Sequence, residues 1–169
     1  QGGYSFSKWL NATANISFSR NKIKKFTEYL DEYDADYEWI GQRAIEHKNT
    51  NIAFAPSVVA GAVINILPVK NVELSLISKY VDDQYLDNTQ NDVRKLNSFF
   101  TQAAQVTFTI KNKLFKEWKI MAQANNVFSK RYEPNGAVYN AVYDGVISSD
   151  KYYFPMAPVN FMVGVNVSL

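Results

Sequence analysis

Hydrophobic and polar residues alternate along most of the chain, and the alternation first becomes clear between Trp9 and Arg20. Every second residue there is apolar, and most of the residues between them carry a hydroxyl or amide group. The apolar positions are Leu10, Ala12, Ala14, Ile16 and Phe18. A helix would repeat apolar positions three and four residues apart, so the period of two predicts a strand with one apolar and one polar face. We expect this strand to continue through Ile23 and Phe26.

The same alternation predicts five further strands, over about 52–67, 72–80, 100–111, 118–125 and 160–169. In the last strand the apolar face consists of Phe161, Val163, Val165, Val167 and Leu169. The segments between the strands are alternately long and short. Long connections fall at about 30–49, 82–95 and 129–158, and short turns at 67–71 and 112–116. Within the first long connection, residues 37–47 could form a short helix with Tyr37, Ile40, Ala44 and His47 on one side.

This arrangement predicts an all-β chain of about six antiparallel strands that cross a membrane as part of a β-barrel. Long connections on one side and short turns on the other are typical of bacterial outer-membrane barrels, whose long loops are extracellular, and they place the C-terminus on the periplasmic side. Barrels of this kind need at least about eight strands, and an open sheet edge in lipid would leave backbone groups unpaired. We therefore expect the six strands to pair with further barrel strands.

Composition supports the barrel interpretation. The mean hydropathy is −0.26, and no apolar stretch approaches the roughly 20 residues of a membrane helix, so a helical membrane protein is excluded. Aromatic residues make up 15% of the chain, as expected where aromatic girdles mark two membrane interfaces. They cluster at Trp9; Phe26 and Tyr29; Tyr80 and Tyr85; Phe99 and Phe100; Phe115 and Trp118; and Tyr152, Tyr153 and Phe154. A soluble sandwich or lipocalin-like barrel is the alternative, but it would pack Leu and Val where this chain has Ser, Thr, Asn and Gln.

Charge and cysteine content exclude several other classes of protein. The net charge is only +2, with no basic stripe, so nucleic acid is not an expected partner. The chain has no Cys and one His, His47, which leaves little material for a transition-metal site or a nucleophilic triad, and we predict neither an enzyme nor a cofactor. The first residues, Gln1-Gly2-Gly3, show neither an initiator Met nor a signal peptide, so we expect a processed or truncated end with the export signal upstream.

Several longer motifs go beyond patterning. They are SKYVDDQYLDNTQNDVRKL at 78–96, ANNVFSKRYEPNG at 124–136, YYFPMAPVNFMVGVNVSL at 152–169, SRNKI at 19–23 and IAFAPS at 52–57. In order and spacing they resemble the C-terminal third of TonB-dependent outer-membrane receptors, particularly those of Bacteroidetes type, over nearly the whole of residues 1–169. The sequence departs from the family at Leu169, where Phe is usual, and at Val159, where a basic residue often follows Ala-Pro.

The resemblance implies that these are the last strands of a 22-stranded barrel, filled by an N-terminal plug, that imports a scarce ligand such as a siderophore, cobalamin, glycan or peptide. Implied partners are the remaining barrel strands and plug, TonB through the plug, outer-membrane lipid and lipopolysaccharide, and possible surface lipoproteins. The barrel-assembly machinery would recognise the C-terminal strand, from Phe161 to Leu169. A scaffold or receptor barrel in a surface complex, without active transport, is one alternative. A small passive porin-like barrel built with other copies is another.

Residues in the motifs allow two roles. Asp87-Asn88 and Asn135-Gly136 are turn-forming pairs, because Asn and Asp bond to the local backbone and Gly adopts positive φ. Loop folding is therefore the favoured role. Direct ligand contact is the alternative, since loops on a rigid scaffold commonly carry binding residues, and its candidates are Tyr85, Asp87, Arg94 and Tyr132.

Charged side chains elsewhere offer weaker candidates. Asp31, Glu32, Asp34 and Asp36 supply the oxygen ligands that Ca²⁺ prefers, although they lack the spacing of an EF-hand and a solvated acidic loop is favoured. Lys22, Lys24 and Lys25 could contact anionic lipopolysaccharide or form a solvated rim. Glu73 and Lys79 share the polar face of their strand with Ser75, and we expect them to line a channel rather than to act as an acid/base pair.

Overall fold

A computed structural model of the chain describes residues 1–111 and 116–168. These residues form thirteen strands: β1 Gly2–Ser7, β2 Leu10–Phe18, β3 Lys22–Tyr33, β4 Trp39–Asn51, β5 Val58–Val69, β6 Val72–Val81, β7 Gln84–Tyr85, β8 Lys95–Leu96, β9 Phe99–Ile110, β10 Glu117–Asn125, β11 Asn135–Tyr143, β12 Val146–Phe154 and β13 Asn160–Ser168. No helix in them is long and apolar enough to cross a membrane. Most of the predicted turn at 112–116, and Leu169, lie outside the described residues.

Seven of the strands form one antiparallel sheet, here called the wall, in the order β1-β2-β5-β6-β9-β10-β13. The predicted antiparallel all-β architecture is thus confirmed, but the count of six strands is wrong. Strand β1 was missed because it has only six residues, four of them Gly or Ser. Within the described residues, the outer edges of β1 and β13 pair with no strand.

The register of the wall places residues of like polarity in continuous rows. One row crosses six strands through Leu10, Ile66, Leu74, Val106, Ala122 and Val163. The adjacent row, on the other face, runs through Asn11, Asn65, Ser75, Gln105 and Gln123 to Met162. Because neighbouring residues of a strand point to opposite faces, this register gives the wall one apolar and one largely polar face. The predicted two-faced pattern is confirmed.

Aromatic side chains border the apolar face at both ends of the wall strands. Phe18, Tyr80, Phe100 and Phe161 lie at the end next to the long connections, called the loop end. Phe6, Phe108 and Trp118 lie at the opposite end, called the turn end, where Trp9 lies in the turn between β1 and β2. The nine residues of β2 span roughly 26 Å between the two ends, at about 3.3 Å per residue.

The predicted aromatic clusters are correct only in part. Phe26, Tyr29 and the aromatic residues of β12 lie on strands outside the wall, and Tyr85 lies in the connection between β6 and β9. Phe99 belongs to the face opposite Phe100 and is buried. Phe115 lies outside the described residues. Within the strands, an aromatic residue therefore borders the apolar face of the wall only where it has the same parity as the apolar residues of its strand.

The first and third long connections are mainly hairpins. Strands β3 and β4 pair in one hairpin and β11 and β12 in the other, and the two join through a parallel β3–β11 pair into the loop sheet, in the order β12-β11-β3-β4. The predicted helix at 37–47 is wrong, since Trp39–Asn51 is a strand whose backbone hydrogen bonds go to β3. Tertiary pairing overrides the weak helical period of this polar stretch.

The chain also leaves the wall earlier than expected. Strand β2 ends at Phe18, and the Ser19 backbone N–H donates to the Ser57 carbonyl at 2.9 Å before β3 begins at Lys22. The predicted continuation of this strand through Ile23 and Phe26 is therefore wrong. Ile23 and Phe26 belong instead to β3, which pairs with β4 outside the wall.

The covering loop, residues 82–98 with the short pair β7–β8, lies over one face of the loop sheet. Its backbone and side chains bond to residues of β4, β11 and β12. Most of the deeply buried apolar side chains belong to these parts: Leu30 and Val142 on the sheet, and Leu86 and Leu96 in the loop, each 4% exposed or less. The loops thus have a small apolar core of their own, in contrast to the two-faced wall.

Candidate functional site

The covering loop carries three of the four predicted contact residues, and two of them are in contact. Arg94 Nη1 donates to Asp87 Oδ2 at 3.0 Å. Tyr85 lies apart from this pair: its hydroxyl donates to Asp92 Oδ1 at 3.2 Å, and the Lys95 ammonium lies 5.1 Å from the centre of its ring. Burial and the hydrogen bond to Asp92 raise the pKa of Tyr85. The bond from Lys95 to Asp83, at 2.6 Å, raises the pKa of Lys95.

The two predicted turn-forming pairs behave differently. Asp87 Oδ1 accepts from the backbone N–H of Thr89 at 3.0 Å and from its hydroxyl at 2.6 Å, and Asn88 Oδ1 accepts from the Ala53 N–H at 2.8 Å. The turn-forming role is thus confirmed for Asp87, whereas Asn88 ties the loop to a residue 35 positions away.

For Asn135-Gly136 that role is wrong, because both residues lie in β11. A Cβ atom at Gly136 would lie 2.6 Å from the Tyr152 carbonyl oxygen and 3.0 Å from Leu86 Cδ2. Real Cβ atoms do not approach backbone oxygens so closely. Glycine is therefore required here for close approach between β11 and β12, with no turn involved.

Arg94 is the centre of a buried polar network. The residue is 3% exposed, and its guanidinium contacts both the covering loop and the loop sheet. Besides Asp87, Nη1 donates to Thr89 Oγ1 at 3.3 Å and reaches Glu28 Oε1 on β3 at 3.5 Å, while Nε donates to Ser149 Oγ on β12 at 3.0 Å. Such charge-assisted bonds are among the stronger hydrogen bonds of proteins.

Two further residues complete the network. Asn140 Nδ2 on β11 donates to Asp87 Oδ2 at 3.1 Å and to Glu28 Oε1 at 3.4 Å. On β4, His47 Nε2 lies 2.9 Å from Glu28 Oε2, and the His47 ring stacks on Phe26 with centroids 4.9 Å apart. We call the six residues Glu28, His47, Asp87, Arg94, Asn140 and Ser149 the charge cluster.

The electrostatics of the charge cluster favour an ionised Asp87. Burial on its own would raise the pKa of this carboxyl group. Hydrogen bonds from Thr89 and Asn140 and the positive charge of Arg94 outweigh burial and hold the pKa of Asp87 below its ordinary value. Asp87, Arg94 and, for other reasons, His47 stand out in the sequence, whereas Glu28, Asn140 and Ser149 do not. No local signal could have found them, since Asn140 lies 112 residues from Glu28.

Tyr132, the fourth predicted contact residue, lies at the junction between the loops and the polar face of the wall. Its ring stacks on Phe99, with centroids 4.4 Å apart. It lines a cavity of about 340 Å³ whose wall includes Gln102, Gln123 and Asn125. Lys79 supplies the one charged group among the residues that line it. Of the four candidates, Tyr132 thus borders a cavity of ligand size, while Arg94 is buried. Ligand contact by any of them stays a prediction.

Glu73 and Lys79 both belong to the polar face of β6, as predicted. They are six positions apart on the strand, roughly 20 Å at about 3.3 Å per residue, so they do not form an acid/base pair. Ser75 Oγ lies between two acceptors, Asn65 Oδ1 at 2.8 Å and Glu73 Oε1 at 3.4 Å. Glu73 is therefore part of the hydrogen-bonded polar rows of the wall.

The acidic residues of the β3–β4 hairpin are engaged in hairpin contacts. Glu32 pairs with Arg43, and Asp34 Oδ1 accepts from two backbone N–H groups at the hairpin tip. Asp31 Oδ1 accepts from Gln42 Nε2 at 3.0 Å. Across residues 1–111 and 116–168, no group of three or more His, Cys, Asp or Glu side chains is placed to hold a metal ion.

Lys22, Lys24 and Lys25 all lie on β3 near the loop end of the wall. Lys22 Nζ donates to the Asn49 carbonyl at 3.0 Å, and Lys25 pairs with Glu46. Contact with lipopolysaccharide stays a prediction. On β13, the predicted recognition residues Phe161, Val163, Val165 and Val167 are exposed on one face, consistent with their shared parity, and Leu169 lies outside the described residues.

Solved structures show where this fold occurs. The siderophore receptor PiuA from Acinetobacter baumannii matches 98% of this chain with a TM-score of 0.66 and 12% sequence identity. The described part of this chain has the fold of a TonB-dependent receptor barrel wall. The ferric citrate transporter FecA matches 92% of the chain with a TM-score of 0.57 at 12% identity, and the ferric yersiniabactin uptake receptor FyuA from Yersinia pestis matches 98% with 0.56 at 13%.

The chain spans about a fifth of the length of these receptors, with matches covering 20%, 20% and 21% of PiuA, FecA and FyuA. No family model matches the sequence, and no curated protein matches it. At 12–13% identity the likeness is one of fold. The closer relation to Bacteroidetes-type receptors stays a prediction.

Proposed function

We propose that this chain forms wall strands and extracellular loops of a TonB-dependent transporter in the bacterial outer membrane. The observation that carries the proposal is the seven-stranded two-faced wall, whose fold matches receptor barrels over nearly the whole chain. Import, rather than catalysis, is the activity that this architecture supports. The plug, and TonB acting through it, would be partners of the complete receptor.

The surface chemistry of the wall supports a place in a membrane. A face of Leu, Ile, Val and Ala bordered by aromatic side chains suits lipid, and the Asn, Ser and Gln rows opposite suit a solvated lumen. The two open edges of the wall require further strands, because unpaired backbone groups in lipid cost several kcal/mol each, by order of magnitude. With the long loops outside the cell, β13 would run toward the periplasm and present its apolar face to the barrel-assembly machinery.

The ligand class follows only in outline from the relatives. Their names refer to a siderophore, ferric citrate and ferric yersiniabactin, so a ferric complex is one candidate class beside cobalamin, glycans and peptides. The cavity beside Tyr132 is the part of this chain best suited to touch a ligand, because it lies on the polar face and is lined by amide groups and Lys79. Tyr85, Asp87 and Arg94 remain candidates on the loop side.

The decisive experiment compares ligand-dependent growth and uptake by the complete receptor in cells with and without an intact TonB system. We expect uptake that disappears without TonB, and recovery of the receptor in the outer-membrane fraction. A growth phenotype independent of TonB would contradict active transport. Recovery as a soluble monomer would contradict the membrane location as well.

A scaffold or receptor barrel in a surface complex is the second candidate. It is favoured by the outer face of the loop sheet, where Tyr29, Tyr139 and Tyr152 are 64%, 69% and 54% exposed. Exposed tyrosines of this kind are common in protein interfaces. Co-purification of a surface lipoprotein, lost on substitution of these tyrosines while uptake persists, would assign the face to a partner.

A further inference from the structure

We propose that Arg94 is a positioning residue that ties the two loop hairpins and the covering loop into a single unit above the wall. The inference rests on the proposed function in one respect only: the unit would lie at the extracellular mouth of the barrel. The tie itself consists of contacts within the described residues.

The charge cluster draws one side chain from every strand of the loop sheet. Glu28 comes from β3, His47 from β4, Asn140 from β11 and Ser149 from β12. Arg94 reaches β3 and β12 directly, and its partner Asp87 receives the bond from β11. His47 holds the second oxygen of Glu28, so the first is left facing Arg94 and Asn140. One guanidinium thus joins three chain segments, each of which links a different pair of wall strands.

Contacts between the two hairpins lie mainly at their tips. Strands β3 and β11 share three paired positions, from Asp31–Ala141 to Tyr33–Tyr143. The Asp144 N–H donates to the Tyr33 carbonyl at 3.0 Å, and Arg43 Nη1 donates to the Gly145 carbonyl at 3.1 Å. Nearer the wall, the first hairpin connects β2 with β5 and the second connects β10 with β13. Strands β6 and β9 lie between these two pairs. The charge cluster is therefore what joins them nearer the wall.

The chemistry of the site requires arginine. Nε points to Ser149 and Nη1 to the two carboxylates, so the planar guanidinium presents donors in two directions at once. A lysine ammonium is a single point charge and would serve one side only. Since the Arg94 side chain is 4% exposed, it would also have to leave this network before it could touch a ligand.

The test uses the complete receptor in its membrane, with Arg94→Met as the principal variant and Arg20→Met, an exposed arginine outside the cluster, as the matched control. We expect backbone hydrogen exchange in β3, β11 and β12 to rise roughly tenfold or more in Arg94→Met, and uptake of the receptor's ligand to fall. Arg20→Met should change neither. Unchanged exchange in Arg94→Met would overturn the proposal.

A disulfide rescue separates positioning from direct ligand contact. Asp31 and Ala141 are paired positions, and the chain has no Cys of its own, so Asp31→Cys with Ala141→Cys adds a defined cross-link between the hairpins. In the Arg94→Met background, we expect oxidation to restore both slow exchange and uptake, and reduction to abolish both. Restored exchange without restored uptake would instead make Arg94 a ligand contact and overturn its positioning role.

A milder variant keeps the test decisive if Arg94→Met does not assemble. Ser149→Ala removes the bond from Arg94 to β12 and should raise exchange in β12 while leaving β3 protected; no change in β12 would refute the tie to that strand. Hydrogen exchange does not depend on transport. Wild-type cells that show no TonB-dependent uptake would therefore refute the proposed function while leaving the tie intact.

Discussion

Arg94 Nη1 and Asp87 Oδ2 lie 3.0 Å apart within one loop, yet each of these side chains also bonds to a strand of the loop sheet. The short pair is therefore a junction between separate chain segments as well as a local loop contact. Its consequences can be tested residue by residue.

The depressed pKa of Asp87 predicts acid sensitivity of the loops. A group whose folded-state pKa lies below its unfolded value stabilises the fold above the unfolded value, about 3.8 here, and that stabilisation is lost as pH falls through the lower folded pKa. Hydrogen exchange of β11 and β12, corrected for its intrinsic pH dependence, should show protection that is constant near pH 6 and falls below about pH 3.8. In the Asp87→Asn variant, β11 and β12 should already exchange faster than in the wild type at pH 6, and their protection should not change further as the pH falls. Asp36→Asn, at an exposed position, should retain the wild-type profile.

Removal of the Glu28 carboxylate should weaken the loops without affecting the wall. Glu28→Gln leaves Arg94 with one partly buried carboxylate instead of two, and we expect a loss of about 1–3 kcal/mol in the local free energy of opening. Exchange of β3 measures this loss, and a double-mutant cycle with Arg94→Met measures the coupling. Glu46→Gln is the control, because Glu46 pairs with Lys25 and Lys48 at the surface, where solvent screens the charges, and its loss should have little effect on exchange. Equal effects of the two substitutions would argue against a special role of the buried site.

Gly136→Ala should separate β11 from β12. The added Cβ would meet the Tyr152 carbonyl at 2.6 Å, so the strands must move apart, at about 1–3 kcal/mol for overpacking of this kind. Exchange at the first residues of β11 and the last of β12 should rise. Gly2→Ala, where the added atom meets nothing within 4 Å, should be neutral. Wild-type exchange in Gly136→Ala would show that the close approach can relax at no cost.

Neighbouring residues of β10 should respond in opposite ways to a charge. Ala122 belongs to the apolar row and Gln123 to the polar row. In the proposed membrane setting, Ala122→Arg would place a guanidinium in lipid, at a cost of about 2–4 kcal/mol near the bilayer centre, whereas Gln123→Arg would face the lumen. The yield of folded, heat-modifiable barrel in outer membranes should fall for the first variant and stay near wild type for the second. The reverse order would invert the assignment of faces.

Tyr132→Ala should reduce ligand uptake if the adjacent cavity binds ligand. The substitution removes the ring stacked on Phe99 and one side of the cavity. Membrane fractionation checks that the variant still assembles into the outer membrane. Tyr85→Phe, which deletes only the hydroxyl bonded to Asp92, serves as a comparison on the loop side. Loss of uptake in Tyr85→Phe alone would move the binding site to the covering loop.

Six of the seven wall strands could be predicted from the sequence, because alternation of apolar and polar residues is a local signal. A period of two, read through Leu10 to Phe18, fixes which residues share a face, and register then follows from the need to align like faces. The loop sheet could not be predicted in this way. Strand β4 is rich in polar residues and carries a weak helical spacing, so only its pairing with β3 shows it to be a strand.

The charge cluster was still harder to foresee. Asp87 and Arg94 stand out in a motif, but Glu28 and Asn140 are unremarkable residues in polar stretches, and their meeting depends on the parallel pairing of β3 with β11. Likewise, Asn135-Gly136 has the composition of a turn, and only the packed neighbours of Gly136 show why glycine stands in a strand. Such signals are tertiary, and no single stretch of sequence contains them.

The parallel pairing of β3 with β11 also orders events in time. Strand β3 is synthesised about a hundred residues before its partner, and contacts of such sequence separation form late because a long loop must close first. The β3 edge of the first hairpin is therefore expected to stay unpaired until β11 has been synthesised and folded. An intact loop sheet therefore shows that hairpins from the first and the last long connection have both been positioned, so the state of that sheet reports on how far assembly has gone.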